Sequence, residues 1–111
     1  MAGLVPAIHV LLNVLMERGG WVYFVTNRRN GILYAGVTGN LPRRAFEHRK
    51  GLINGFTKRY GLKRLNYFER FDDIRYAMQR EKSIKHWPRA WKVRLIHSLN
   101  PEWDDLYGTL I

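Results

Sequence analysis

The chain has 111 residues, no cysteine, 46% hydrophobic and 14% aromatic side chains, and a formal net charge of +10 with a pI near 10.4. That length supports one domain, and the apolar content is enough for a packed core rather than disorder. The lack of cysteine excludes disulfides and thiolate metal sites, while the positive charge points to a polyanionic partner, nucleic acid before anionic lipid.

The first segment, MAGLVPAIHVLLNVLM, is apolar. It lacks the basic start of a signal peptide and is shorter than the roughly 20 apolar residues a membrane span needs. A short helix packed on the domain and a start codon placed too far upstream both remain open. Residues 1–18 are therefore expected to be an extension, and residues 19–111 the domain of a soluble, cytoplasmic protein without a membrane segment. The run Glu17-Arg18-Gly19-Gly20 marks the boundary.

Trp21 to Thr26 is aromatic and β-branched, which predicts a strand. Asn27 to Gly31 ends in Asn-Gly and suits a hairpin turn with residues at positive φ, and Ile32 to Gly36 is the return strand. Pairing Thr26 with Gly31 puts Tyr23 opposite Tyr34, a pair that alone reads as cross-strand packing. Gly36 to Asn40 follows as a loop that allows close backbone approach, with Asn40 as helix N-cap. Pro42 then opens a helix to about Lys50, with Leu41, Ala45, His48 and Leu52 as its inward stripe. Arg44 borders the stripe one turn before His48. A histidine on an apolar stripe is usually a satisfied core residue, but an arginine beside it at a helix start favours anion binding.

Gly51 to Arg64 reads as a loop. From Pro42 to Arg64 there are eight cations (Arg43, Arg44, Arg49, Lys50, Lys58, Arg59, Lys63 and Arg64) against one acid, Glu47, with Phe56 and Tyr60 interleaved. Such a mixture suits a phosphate backbone with occasional base or sugar contact. Leu65 to Phe71 predicts a third strand, and Asp72 or Asp73 caps a helix to about His86. Its inward positions are Ile74, Ala77, Met78, Glu81 and Ile84 or Lys85. A carboxylate at such a position must pair with a cation, hold a metal or face a cleft. Trp87-Pro88 closes that helix, and Trp91, Leu95 and Leu99 form the buried face of a last one, ended by Asn100-Pro101. Trp87 and Trp91 are read as core, and the tail from Glu102 is expected to dock through Trp103, Leu106 and Tyr107. The fold class is therefore α+β, a small three-stranded, mainly antiparallel sheet flanked by helices.

The hairpin resembles the signature of the GIY-YIG nuclease family. Trp21-Val22-Tyr23 stands for Gly-Ile-Tyr and Tyr34-Ala35-Gly36 for Tyr-Ile-Gly. Arg44 lies ten residues beyond Tyr34, as the family's arginine does, and His48 follows four later. Glu81, in the run Glu-Lys-Ser-Ile-Lys, is similar to the family's metal-binding glutamate. The resemblance spans about Trp21 to Leu99 and is closest to the short single-domain bacterial members. It implies an endonuclease that hydrolyses phosphodiesters in nucleic acid, DNA before RNA, by structure rather than sequence, in repair or recombination. It further implies that Glu81 holds one Mg²⁺, with Mn²⁺ as an alternative, because Mg²⁺ keeps several waters and needs few protein ligands. Tyr23 is then the general base or water-positioning group, Tyr34 orients water and phosphate, Arg44 neutralises phosphoryl charge, and His48 assists proton transfer. Arg43, Arg49, Lys50, Lys58, Arg59 and Lys63 are the expected nucleic-acid contacts. Val37 stands where family members often carry lysine or another polar residue. A non-catalytic binding module and an RNA-directed nuclease are the alternatives, and an inward Glu81 has no use in a pure binder.

Overall fold

The computed structural model describes residues 19–110. The apolar segment and the boundary expected within residues 1–18 lie outside them. Strand β1 (Gly20–Thr26) is the centre of a sheet of order β2-β1-β3, with β2 (Leu33–Thr38) and β3 (Arg64–Phe71) both antiparallel to it. The expected α+β class holds, and the sheet is antiparallel throughout. Helices α1 (Leu41–Arg49), α2 (Phe56–Arg59), α3 (Ile74–Lys85) and α4 (Arg89–Leu99) surround it, and a 3-10 turn (Leu106–Leu110) follows.

The central strand is buried on both faces, which explains its unbroken run of large apolar and aromatic residues. Val22 and Phe24 join Ala35, Tyr67, Ala77, Ile84, Ile96 and Trp103 in one core layer. Tyr23 and Val25 face the other way, to Leu41, Ala45, Leu62 and Leu65. Residues alternate across a strand, so the two layers are interleaved in the sequence. Helix α3 covers the first layer and α1 the second.

The hairpin departs from the expected register. Thr26 pairs with Leu33, so Val25 lies opposite Tyr34 and Tyr23 opposite Gly36. The connection is longer than a two-residue turn. Gly31 N–H donates to the Arg28 carbonyl at 3.0 Å, and Ile32 N–H donates to Asn27 Oδ1 at 2.9 Å. Asn30 takes the positive φ, 57°, whereas Gly31 is needed for space, because a Cβ there would lie 2.1 Å from Asn27 Oδ1. Gly36 has the same kind of role: an added Cβ would meet the Tyr23 ring and hydroxyl at 2.5 Å. The second motif thus ends in glycine because the first motif's tyrosine lies over it.

Four further expectations fail. Helix α1 ends at Arg49 and Gly51 turns the chain at φ +67°, so Leu52 leaves the stripe and is exposed. Part of the expected loop is helical, forming α2, anchored by buried Thr57 between Gly55 and Gly61 at positive φ. On α3, Ala77 and Ile84 are buried but Met78 is exposed. The buried residue of α4 is Ile96, with Val93 and Leu95 partly covered, while Trp91 and Leu99 are half-exposed. Trp91 is therefore not core, and Trp87, packed edge-on against it, is only partly buried.

The tail is fixed by a polar network around a β-bulge. Between Phe24 and Val25 the pairing with β3 skips Asn66. Its buried side chain accepts from Thr26 Oγ1 and donates to the carbonyls of Trp103 at 2.8 Å and Asp104 at 3.1 Å. Asn100 Nδ2 donates to the Asn66 carbonyl at 3.0 Å and to the Asp104 carbonyl at 2.8 Å. Trp103 is fully buried, and its indole N–H donates to His97 Nε2 at 2.9 Å. Buried polar groups so completely paired rigidify the segment they join.

Candidate active site

Asn40 caps α1 by accepting from Arg43 N–H at 3.2 Å, and Pro42 occupies its first turn. This cap sets the helix phase that turns Ala45 and His48 to the sheet and leaves Arg44 at the rim. His48 is 4% exposed, and its Nε2 lies 2.9 Å from the Tyr23 hydroxyl. Its Nδ1 is buried with no hydrogen-bond partner among the described residues. Burial first and the Arg44 charge second lower the His48 pKa to about 4, so the imidazole is neutral at physiological pH. Burial raises Tyr23 to about 12 against the opposing pull of Arg44, with Tyr34 and Glu81 adding to the rise. At rest this is a neutral tyrosine hydrogen-bonded to a neutral histidine, with a cation beside both.

Tyr34 lies diagonally across from Tyr23 on the same face, its ring 6.3 Å from that of His48. Glu81 comes from α3, in the other layer. Its side chain is 12% exposed, and Lys85 Nζ lies 3.3 Å from its Oε1. The same ammonium lies 5.5 Å from the Tyr34 ring centroid, so Lys85 links Glu81 to the tyrosine side of the site. Glu81 thus has a cation partner and is close enough to act on Tyr23. No group of three or more His, Asp or Glu side chains with metal-holding geometry occurs among the described residues. A single sheltered carboxylate fits an ion that keeps most of its water, and not one that demands a full protein shell.

The five residues expected to carry chemistry are thus drawn together from β1, β2, α1 and α3. Beside them a cleft of about 440 Å³ is lined by Thr38, Gly39, Asn40, Arg43, Arg44 and Glu47. Arg44 Nε lies 3.2 Å and Arg43 Nε 3.6 Å from the Glu47 carboxylate, so two guanidiniums share one acid and the cleft keeps net positive charge. Lys50, Lys58, Arg59 and Lys63 are exposed in the segment beyond. Arg49 belongs elsewhere: its guanidinium pairs with Asp105 at 2.6 Å and lies 5.0 Å over the Tyr107 ring, holding the tail. Arg64 likewise turns inward and donates to the Trp103 carbonyl at 3.0 Å.

Two participants are absent from the residues picked out by motif. Glu47 orients Arg44 and Arg43, and Lys85 holds Glu81. Both were legible as helical spacings, Arg43 to Glu47 and Glu81 to Lys85 at i,i+4. No helix among the described residues is long and apolar enough to cross a membrane.

Residues 19–94 match the GIY-YIG catalytic domain. The chain is 33% identical over 87 residues to a UPF0213 protein of Bacillus pumilus, covering 78% of this chain and 89% of that one. A UPF0213 protein of Natronomonas pharaonis is 40% identical over 73 residues, covering 66% and 86%. One from Clostridium perfringens is 36% identical over 75 residues, covering 68% and 81%. No solved structure matches the chain.

Proposed function

The chain belongs to the GIY-YIG catalytic domain family, and on that premise we propose that it is a divalent-metal-dependent DNA endonuclease of the cytoplasm, directed by nucleic-acid structure and serving repair or recombination. The observation that carries this reading is the Tyr23 hydroxyl, held 2.9 Å from a neutral His48 and subject to the charges of both Arg44 and Glu81. Any buried tyrosine hydroxyl needs one hydrogen-bond partner; what sets Tyr23 apart is that its partner is a neutral imidazole, with Arg44 and Glu81 both acting on it.

The chemistry follows from those protonation states. The substrate phosphate enters the arginine-lined cleft, where Arg44 exchanges part of its Glu47 contact for the phosphoryl oxygens. A water oriented by Tyr34 attacks phosphorus in line with the leaving oxygen. Its proton passes to the Tyr23 oxygen while the Tyr23 proton passes to His48 Nε2, so no free tyrosinate has to accumulate. A new P–O bond forms, the bond to the leaving oxygen breaks and that oxygen takes a proton from solvent, while His48 gives its extra proton back to solvent and the pair returns to its neutral state. Glu81 is the residue that would hold the metal, and Mg²⁺ or Mn²⁺ bound there would stabilise charge on the phosphate and leaving oxygen. Arg44 adds fixed positive charge in a partly dehydrated site, where it counts for more than in water.

The test is incubation of the purified chain with plasmid, single-stranded, branched and RNA substrates in Mg²⁺ or Mn²⁺. Cleavage that needs the ion and is lost in Glu81→Ala is the expected result. If no substrate is cut, or if Glu81→Ala cuts like the wild type, the nuclease reading is wrong.

A further inference from the structure

Helix α2 and its C-cap residue carry two aromatic rings on one exposed turn. The rings of Phe56 and Tyr60 lie 4.8 Å apart, and Phe56 is stacked on Tyr34 at 6.4 Å and 29°. Three rings therefore run outward from the active site to solvent. Phe56 is 48% exposed and Tyr60 43%; Phe46, Tyr76 and Trp91 are comparably exposed, but Phe56 and Tyr60 continue the stack that begins at Tyr34. The backbone beneath them is held in place. Thr57 is buried, its carbonyl accepts from Leu62 N–H at 2.8 Å, and Gly55 and Gly61 hold positive φ at the two ends.

The surroundings indicate what the rings receive. No acid occurs between Glu47 and Glu69, while Lys58, Arg59 and Lys63 lie within that stretch. The Arg59 guanidinium is 5.6 Å from the Tyr60 ring centroid. Exposed rings among cations with no carboxylate are complementary to a strand that offers both π-faces and phosphates. Paired bases inside a duplex have no free face to offer, whereas an unpaired base does. Protein docking would explain the exposed rings but not their continuity with Tyr34.

We propose that Tyr34, Phe56 and Tyr60 form a stacking platform for an unpaired base next to the scissile phosphate, so that the preferred substrate is single-stranded or flapped DNA. This rests on the nuclease reading above and names its substrate class. Arg59 and Lys58 then contact the phosphates on either side of the stacked base, and Tyr34 links base recognition to water orientation.

Binding measured without divalent metal separates the platform from catalysis. A labelled single strand, and a duplex of the same sequence, are titrated against wild type, Phe56→Ala, Tyr60→Ala and Phe56→Trp. A second single strand carries 2-aminopurine to report stacking. Wild type is expected to prefer the single strand and to quench the 2-aminopurine. Each alanine variant should lose roughly tenfold in single-strand affinity and relieve the quenching, with duplex affinity unchanged. Phe56→Trp should bind like wild type, which excludes a folding defect at that position. Equal losses on both substrates, no loss, or no quenching would overturn the platform. If the wild type binds and cuts duplex with no single-strand preference, the platform alone is wrong. If it binds neither DNA, the nuclease reading is wrong as well.

Discussion

Two buried tyrosines in neighbouring strands point to opposite faces of the sheet and meet opposite chemistry. Tyr67 donates to Glu69 Oε2 at 2.6 Å, and Arg80 closes the group with its own 2.6 Å bond to Glu69 Oε1 while lying 5.0 Å over the Trp87 ring. No buried polar side-chain atom of that group lacks a partner, and burial together with the Glu69 bond raises the Tyr67 pKa. Tyr23 meets no carboxylate within hydrogen-bond reach. Its partner is a neutral imidazole whose other nitrogen has no partner among the described residues, and the charge acting on it most strongly is the cation of Arg44. The first arrangement pins α3 to β3. The second leaves a hydroxyl joined to an imidazole with one unpaired nitrogen, and the proposed site belongs to this less satisfied face.

The comparison can be tested from both sides. Removing the cation from the Tyr23 side should have the largest effect: Arg44→Ala is expected to lower the cleavage rate by about 100-fold or more, as loss of a transition-state charge contact does, with little change in melting temperature. Breaking the Tyr67 side should do the reverse. Glu69→Ala removes the acceptor of both Tyr67 and Arg80, and should cost about 2 kcal/mol of stability in a denaturant titration while cleavage per folded molecule is retained.

The acid side of the pH profile sharpens the same contrast. His48 is depressed from an ordinary 6.5 to about 4. Below pH 6.5 the unfolded chain protonates this residue while the folded one does not, so stability falls as pH drops and the loss is complete near pH 4. His48→Gln should flatten that part of the stability curve. Single-turnover cleavage should keep its histidine-dependent plateau down to the folded pKa, and an acid limb centred near 6.5 would show that His48 is not buried as described. The smallest effect is expected at Arg49. Its contacts are with Asp105 and Tyr107, so Arg49→Ala should cost at most about 1 kcal/mol and leave DNA affinity, measured by anisotropy, unchanged.

Much of this layout was legible in the chain. The strands and helices follow from β-branched and aromatic runs, the caps Asn40 and Asp73, and the break at Trp87-Pro88. Glu81 stood out because a carboxylate occupied an inward position, and its side chain is indeed sheltered. What escaped was set by contacts distant in sequence. Turn residues alone do not fix hairpin register, and Gly36 opposite Tyr23 makes sense only once the ring above it is seen. The face of α4 was misjudged because Trp91, Leu95 and Leu99 are periodic and large, yet the sheet takes Ile96. Asn66 and Asn100 gave no periodic signal at all, since a β-bulge and a docked tail create their environment, whereas the docking expected of Trp103 is found, the indole being fully buried. The tyrosine pair packs in the second core layer and also lies in the proposed site, a combination that spacing alone could not decide.

The most direct measurement sets the two tyrosines side by side. Tyr23→Phe and Tyr67→Phe are assayed for cleavage of one flapped DNA in Mg²⁺, with melting curves on the same samples. Tyr23→Phe is expected to lose about 100-fold or more in rate while folding normally, because only the proton path is removed. Tyr67→Phe is expected to cut at close to the wild-type rate and to lose about 1 kcal/mol of stability. Equal rates in the two variants, or a larger loss in Tyr67→Phe, would contradict the assignment of catalysis to the Tyr23 face.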